Sequence, residues 1–398
     1  MYAGAALRID AAAIAANTRA IADTVGATVD VMAVVKADGF GHGAAALAAL
    51  EAGATWLGVT SIAEALPFRW RGVSAPILSW LNPPGADLDA ALLHDIDLAI
   101  PSVAQLQAVS EAALRTGRRA RIHLHLDTGM SRDGIDPAQW TTLCELARLG
   151  ADAGRLEVVG VMSHLARADE PGHRDTARQV MLFRNALRVA RHRGLAPRVA
   201  HLGATSAALT DPSTHFGMVR IGAGLYGIDP SHTVPSHTVP ARGALGEGGT
   251  ALRGAMTLTA PVVAVREVNA GTGVGYGLGY RPERRTRLAL LPLGYADGIP
   301  RRLSPDACVL LRGRRVPVAG TVSMDQLVVD VGDAGVAVGE TATVFGPGDD
   351  GEPTLREWAD WAGTIEHEIV TRVGPRVARE ATGVVTAPVA PLRAVAAA

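Results

Sequence analysis

Short apolar runs recur at an even spacing through the first half of the chain, at residues 31–35, 56–60, 77–80, 97–100, 122–126, 158–162, 199–202 and 218–221. Brief, β-branched runs bounded by glycine or polar residues read as buried strands. Most of the gaps hold helical patterns, clearest at 43–52, 103–115 and 175–193, with apolar residues three and four apart. The second of these ends on Arg115 and Gly117, a helix stop signal. Alternating strands and helices imply parallel strands joined by right-handed crossovers. Eight such units in about 200 residues predict a (β/α)8 TIM barrel, α/β in class, over residues 10–230. A doubly wound open sheet is the competing arrangement, but no G-x-G-x-x-G follows the first run.

Residues 231–254 break the rhythm. Ser-His-Thr-Val-Pro at 231–235 is repeated at 236–240, and glycine-rich sequence follows. This composition predicts a linker. Its two histidines have no carboxylate or cysteine at ligand spacing, so they predict no metal site. Over 255–388 the texture turns to β, with runs at 256–268, 286–293, 307–312, 315–322, 326–331 and 341–345. These predict a C-terminal antiparallel β domain, with a short helix at 355–363 and residues 1–9 left open to pairing with it. The last dozen residues are expected to fray.

Composition narrows the picture. The chain has 398 residues, 48% hydrophobic and 19% charged, as expected of a globular protein of two or three domains. A net charge of -1 supplies no basic field for nucleic acid or an anionic membrane. Two cysteines cannot build a disulfide framework, which fits a cytoplasmic protein. The N-terminus lacks a basic start followed by an apolar core, so no signal peptide is expected. No stretch reaches the roughly 20 apolar residues of a membrane span.

Polar residues fall where such a barrel gathers its chemistry. Lys36 closes the first run, Asp127-Thr-Gly-Met-Ser-Arg132 follows the fifth, and His164 follows the sixth. His201 and Arg220 lie in the seventh and eighth. The C-terminal ends of barrel strands form one face, so these groups converge. Burial there lowers a lysine's pKa, and a neutral amine can form a Schiff base with an aldehyde cofactor. Gly203-Ala-Thr-Ser206-Ala207 and Arg220-Ile-Gly222-Ala223-Gly occupy the usual phosphate position after strands seven and eight. In the second half, Gly275-Tyr276-Gly places a ring in a glycine run, and Gly294-Tyr295-Ala-Asp-Gly and Ser323-Met324-Asp325-Gln follow.

Together with Val35-Lys36-Ala-Asp-Gly-Phe40-Gly-His-Gly, these segments resemble the alanine racemase family along nearly the whole chain. The resemblance implies a pyridoxal 5'-phosphate (PLP) enzyme that interconverts L- and D-alanine, working as a homodimer. It implies that Lys36 holds PLP and acts as one base, while Tyr276 from the partner subunit is the base on the opposite face. Arg220 would face the pyridine nitrogen, and His164 would couple it to Tyr276. Ser206, Gly222 and Ala223 would hold the phosphate. Arg132, Met324, Asp325 and Tyr295 would surround the substrate. Two opposed bases suit the reaction, because a proton must leave one face and return on the other.

Four positions depart from the family pattern. Phe40 and His367 stand where tyrosines usually reach the phosphate. Thr205 replaces an asparagine, and His125 replaces a lysine, often carbamylated, that orients the arginine corresponding to Arg132. These changes leave open a substrate other than alanine, such as serine, or an aldolase-like lyase reaction. A non-catalytic PLP carrier has no use for Tyr276. His123 and His125, alternate residues on one strand face, raise a metal site as a further alternative.

Overall fold

The computed structural model of the protein describes residues 4–231 and 252–383. A first strand, β1 (Ala6–Asp10), precedes the eight predicted ones. Those are β2 (Asp30–Val34), β3 (Trp56–Val59), β4 (Ile77–Ser79), β5 (Ile96–Ile100), β6 (Ala120–His125), β7 (Leu156–Met162), β8 (Val199–His201) and β9 (Met218–Ile221). They are parallel neighbours in the order β8-β7-β6-β5-β4-β3-β2-β9. Gly217 N–H to the Ala200 carbonyl (3.1 Å) and Arg220 N–H to that of Gly203 (3.3 Å) join the two ends. The sheet is therefore a closed barrel, and the open alternative is ruled out. Met32, Trp56, Leu78, Val159, Met162 and Met218 fill its lumen. A second apolar layer, including Ile14, Leu106 and Phe183, lies between strands and helices. Strands buried on both faces carry continuous apolar runs, which is why they are visible in the sequence.

The patterns at 103–115 and 175–193 become helices Val103–Thr116 and Arg174–His192. Ser102 caps the first by accepting Gln105 N–H (3.1 Å), and Gly117 ends it at φ 63. Gly43–Ala52 is a 3-10 helix rather than an α-helix. Its alanines give the same three-and-four spacing but no bulk to set the pitch, and Ala46, Ala48, Ala49 and Ala52 are buried.

The predicted run 256–268 is two strands, β10 (Met256–Pro261) and β11 (Ala264–Val268), in different sheets. Pro261 has no N–H to continue a ladder. There follow β12 (Thr286–Leu291), β13 (Cys308–Leu311), β14 (Arg314–Pro317), β15 (Leu327–Gly332), β16 (Thr341–Phe345) and β17 (Ala378–Thr382). One sheet runs β14-β13-β16-β10-β1-β17 and the other β11-β12-β15. Pairing among these described strands is antiparallel except between β1 and β17. β1 then passes straight into helix Ala11–Val25, whose Ala12 and Ala13 N–H groups are accepted by Asp10 (2.9 and 3.1 Å). Helix Leu355–Ala362 appears as expected, but Glu366–Arg372 gave no clear sequence signal. That second helix packs onto the segment after Lys36, so closely that a Cβ on Gly41 would sit 2.7 Å from the Val370 carbonyl oxygen. The Ser-His-Thr-Val-Pro repeat and the expected fraying of the last dozen residues lie outside the described residues. No helix among the described residues is long and apolar enough to cross a membrane.

Candidate active site

Lys36 leaves the C-terminal end of β2 into an unusual turn. Ala37, Asp38, Gly39 and Phe40 have φ of 54, 53, 60 and 54. Left-handed backbone costs an L-residue about 1–2 kcal/mol, so the surroundings must hold it. Gly39 N–H donates to Val35 (2.9 Å) and Gly41 N–H to Ala37 (3.0 Å). The Glu64 carboxylate accepts the N–H of Ala37 (2.8 Å) and of Thr60 (2.7 Å). Strain of this kind concentrates at functional sites. Burial holds the Lys36 pKa below its usual value, helped by Arg132 and Arg220 and opposed by Glu64.

Arg220, on β9, is buried, and its guanidinium is almost fully engaged. Nη1 donates to Nδ1 and the carbonyl of His201, both at 3.0 Å. Nη2 donates to the carbonyls of Ser163 (2.7 Å) and Leu202 (3.2 Å) and to His164 Nδ1 (3.0 Å). Among the described residues Nε–H has no acceptor, so it is the donor left for a bound group. Burial, then Arg132, lowers the Arg220 pKa to about 10, which still leaves it charged. Burial and the charge of Arg220 press His164 down to about 3, so it is neutral. Its segment is held by Gln179, which donates to the His164 carbonyl (3.0 Å) and to Thr128 Oγ1 (3.1 Å).

Arg132 is presented by a loop wound on Asp127, whose carboxylate accepts the N–H groups of Gly129, Met130 and Ser131 at 2.8–2.9 Å. Gly134 closes it, since a Cβ there would lie 2.6 Å from Asp127 N. The exposed Arg132 guanidinium has no hydrogen bond or ion pair among the described residues. His125 faces Asp133 (Nδ1 to Oδ2, 3.6 Å), whereas His123 turns to Asp97 and His201. The two histidines of β6 therefore face different groups, with His125 Nδ1 buried and making no hydrogen bond, and no metal-binding cluster occurs among the described residues. Burial lowers His125 to about 4.

The two glycine-rich segments meet. Ser206 sits in the first turn of helix Thr205–Thr210, which starts one residue before it, after Ala204. Thr205 Oγ1 accepts Gly224 N–H (3.1 Å), tying that helix to the turn Ala223–Tyr226. The first N–H groups of both have no intrahelical acceptor. The Ser206 hydroxyl has no partner among the described residues. Gly222 allows close approach, because a Cβ there would be 2.9 Å from Phe40 Cζ. Phe40 packs on Tyr226 (5.0 Å between centroids) and His367 (5.9 Å). His367 Nδ1 is buried without a partner. Unused N–H groups, a free hydroxyl, an orphaned ring nitrogen and a half-buried amine fit a phosphorylated aldehyde such as PLP.

The structure thus brings Lys36, Arg132, His164 and Arg220 within electrostatic reach of one another, with Phe40 and His367 alongside. Tyr276, Tyr295, Met324 and Asp325 belong to the β domain. Tyr295 N–H donates to Ser323 (3.0 Å), Ala296 N–H to Met324 (2.9 Å), and Asp325 pairs with Arg376 (2.8 Å). Tyr276 is 69% exposed and makes no hydrogen bond among the described residues. Sequence reasoning missed Glu64, Gln179 and Tyr226, whose partners are remote in the chain. Only the Ser61 cap of Ile62–Trp70, with Glu64 three residues on, left a signal for Glu64.

Comparison with known proteins places the chain as a whole. Residues 9–230 match the family described as alanine racemase, N-terminal domain, and residues 255–381 match the alanine racemase, C-terminal domain. An alanine racemase of Thermobifida fusca is 48% identical, covering 97% of this chain and all of that protein. One of Mycolicibacterium smegmatis is 44% identical over 93% of each. The crystal structure of alanine racemase from a D-cycloserine-producing Streptomyces lavendulae superposes with a TM-score of 0.90 at 42% identity, covering 97% of this chain and 98% of that one. With both domains matched in order and relatives alike from end to end, the chain belongs to the alanine racemase family.

Proposed function

We propose that this protein interconverts L- and D-alanine, with PLP as cofactor, in the cytoplasm. The observation that carries the reading is the half-buried Lys36 amine, its pKa lowered, beside Arg132, His164 and Arg220 at the C-terminal face of the barrel. When bound, PLP supplies the electron sink for the charge left by the departing α-proton.

The chain's own residues hold and aim that chemistry. Lys36 would hold the cofactor and, as a neutral amine, takes or returns the proton on one face. Arg220, through its free Nε–H, would hold the pyridine nitrogen of the cofactor and favour its unprotonated form. Ser206, Gly222 and Ala223 bind the phosphate, with Phe40 and His367 closing the pocket around it. Arg132, whose guanidinium is uncommitted, binds the substrate carboxylate. His164 accepts from Arg220 at Nδ1, so its proton sits on Nε2. From there it donates to the phenol oxygen of Tyr276.

Tyr276 comes from a second copy of the chain. The exposure of Tyr276, Leu278 and Met324, at 69%, 51% and 53%, supports a homodimer in which this edge of the β domain covers the partner's barrel. Tyr276 then takes or returns the proton on the face opposite Lys36, and Tyr295, Met324 and Asp325 line the substrate.

The test is chiral chromatography of L-alanine incubated with protein and PLP. D-alanine forms, and Tyr276→Phe lowers the rate by about 10²–10⁴-fold, the worth of a positioned acid or base. Circular dichroism of the variant, expected to match the parent, checks that the loss is not one of folding. A parent that makes no D-alanine, or a fully active Tyr276→Phe, refutes the reading.

A further inference from the structure

Three buried polar side chains of the barrel lumen take no part in the reaction described above. Asp97 on β5, His123 on β6 and His201 on β8 lie one after another, each no more than 1% exposed. Asp97 Oδ2 is 3.3 Å from His123 Nε2, His123 Nδ1 is 2.8 Å from His201 Nε2, and His201 Nδ1 is 3.0 Å from Arg220 Nη1. The line starts at a polar cavity of about 580 Å3 at the N-terminal mouth of the barrel, lined by Asp97 and Arg121 among others. It ends at the guanidinium beside Lys36.

We infer that Asp97, His123 and His201 are a positioning relay, which fixes the tautomer of His201 and thereby the donor geometry of Arg220. The count of hydrogens fixes each tautomer. An arginine can only donate, so His201 Nδ1 must be bare to accept from it. The proton of His201 is then on Nε2, which donates to His123 Nδ1. That nitrogen must be bare in turn, so the His123 proton is on Nε2 and points at the Asp97 carboxylate. The carboxylate, which only accepts, closes the sequence. Reversing any one ring places two donors face to face. Protonating His123 on both nitrogens does the same at His201.

The packing is built for this line. β7 carries Gly160 beside the His123 ring, and a Cβ there would lie 2.4 Å from His123 Nδ1. The ladder between β6 and β7 shifts register at Ile122/His123. Trp56 meets the His123 ring edge-on at 5.5 Å. Arg121 grips Asp97 with two hydrogen bonds, of 2.7 and 3.0 Å. Burial by itself would raise the Asp97 pKa, but the bonds from His123 and Arg121 outweigh it and keep the carboxylate ionised. Burial and the charge of Arg220 hold His201 neutral.

The functional part of this inference rests on Arg220 facing the cofactor ring, so the experiment has two arms. In the first, nitrogen NMR of the histidine rings in the apo protein reads each tautomer without any activity. His201 and His123 are expected neutral and protonated at Nε2, and Asp97→Asn is expected to mix the tautomers of His123. A proton on His201 Nδ1, or tautomers unmoved by Asp97→Asn, overturns the relay whether or not the protein racemises alanine. In the second arm, kcat and KM are measured on the PLP-loaded protein. A tautomer error at a catalytic imidazole itself costs ~10⁴ in rate, so one step removed Asp97→Asn should lower kcat about tenfold with KM for alanine little changed.

His201→Asn keeps an acceptor for Arg220 but cannot reach His123. Adding Asp97→Asn to it should cost nothing more, since residues acting as one line are not additive. Additive losses, or a parental kcat in Asp97→Asn, overturn the inference. If circular dichroism shows Asp97→Asn unfolded, His123→Phe keeps the ring's packing on Trp56 and removes both nitrogens. It should give the same loss of kcat at unchanged KM, and a parental kcat there overturns the relay equally.

Discussion

Glu64→Gln isolates what holds the turn after Lys36. The Glu64 carboxylate accepts Ala37 N–H at 2.8 Å and Thr60 N–H at 2.7 Å, one on each oxygen. A glutamine amide has a single oxygen, so one N–H loses its acceptor and faces another donor. A hydrogen bond to a charged group is worth about 1.5–3 kcal/mol. Because the Ala37 side of the carboxylate is open to water, the lower part of that range applies, and the apo protein should lose about 1.5–2 kcal/mol in urea unfolding. The same change removes the one charge that raises the Lys36 pKa, leaving burial and two arginines that lower it. The amine therefore gives up its proton at a still lower pH. Competitive acetylation of the apo protein should show Lys36 becoming reactive at lower pH in the variant. An unchanged urea midpoint together with unchanged Lys36 reactivity, or a shift of that reactivity to higher pH, refutes the reasoning.

Two other outcomes follow from geometry and charge. In Gly222→Ala the new Cβ would meet Phe40 Cζ at 2.9 Å and Val34 Cβ at 3.5 Å. Overpacking of this kind costs about 1–3 kcal/mol, and it fills the approach to the unused N–H groups, so both the melting temperature and the affinity for PLP measured by absorbance should fall. His42, His125 and His164 titrate at about 4, 4 and 3 when folded, mainly through burial, against 6.5 ordinarily. Between pH 6.5 and about 4 the unfolded chain takes up protons that the folded protein refuses. Their contribution is complete above 6.5 and is lost as the pH falls, by about 1.4 kcal/mol per group per unit. Chemical unfolding should show that decline across this window, and a flat profile would contradict it.

Much of the architecture is already written in the order of residues. The barrel strands are legible because each is buried on both faces and is mostly apolar, as in Val31–Met32–Ala33–Val34. Lys36 and His164 are legible as polar residues just beyond buried runs, Arg132 by the segment that follows the fifth run, and Arg220 as a charge within the eighth. Gly222 marks the second glycine-rich segment because nothing larger permits its approach to Phe40.

Other features depend on contacts between residues far apart in the chain. The break of 256–268 into two sheets, and the pairing of β1 with both β10 and β17, depend on partners up to hundreds of residues away. Nothing local to Glu366–Arg372 says that it will carry His367 to Phe40. His125 and His123 are identical in type and two apart in sequence. Their fates diverge because one looks to Asp133 and the other to Asp97 and His201. A local pattern records which residues must leave water. Which polar groups then meet is settled when the barrel closes, since a buried donor or acceptor costs free energy until folding supplies its partner.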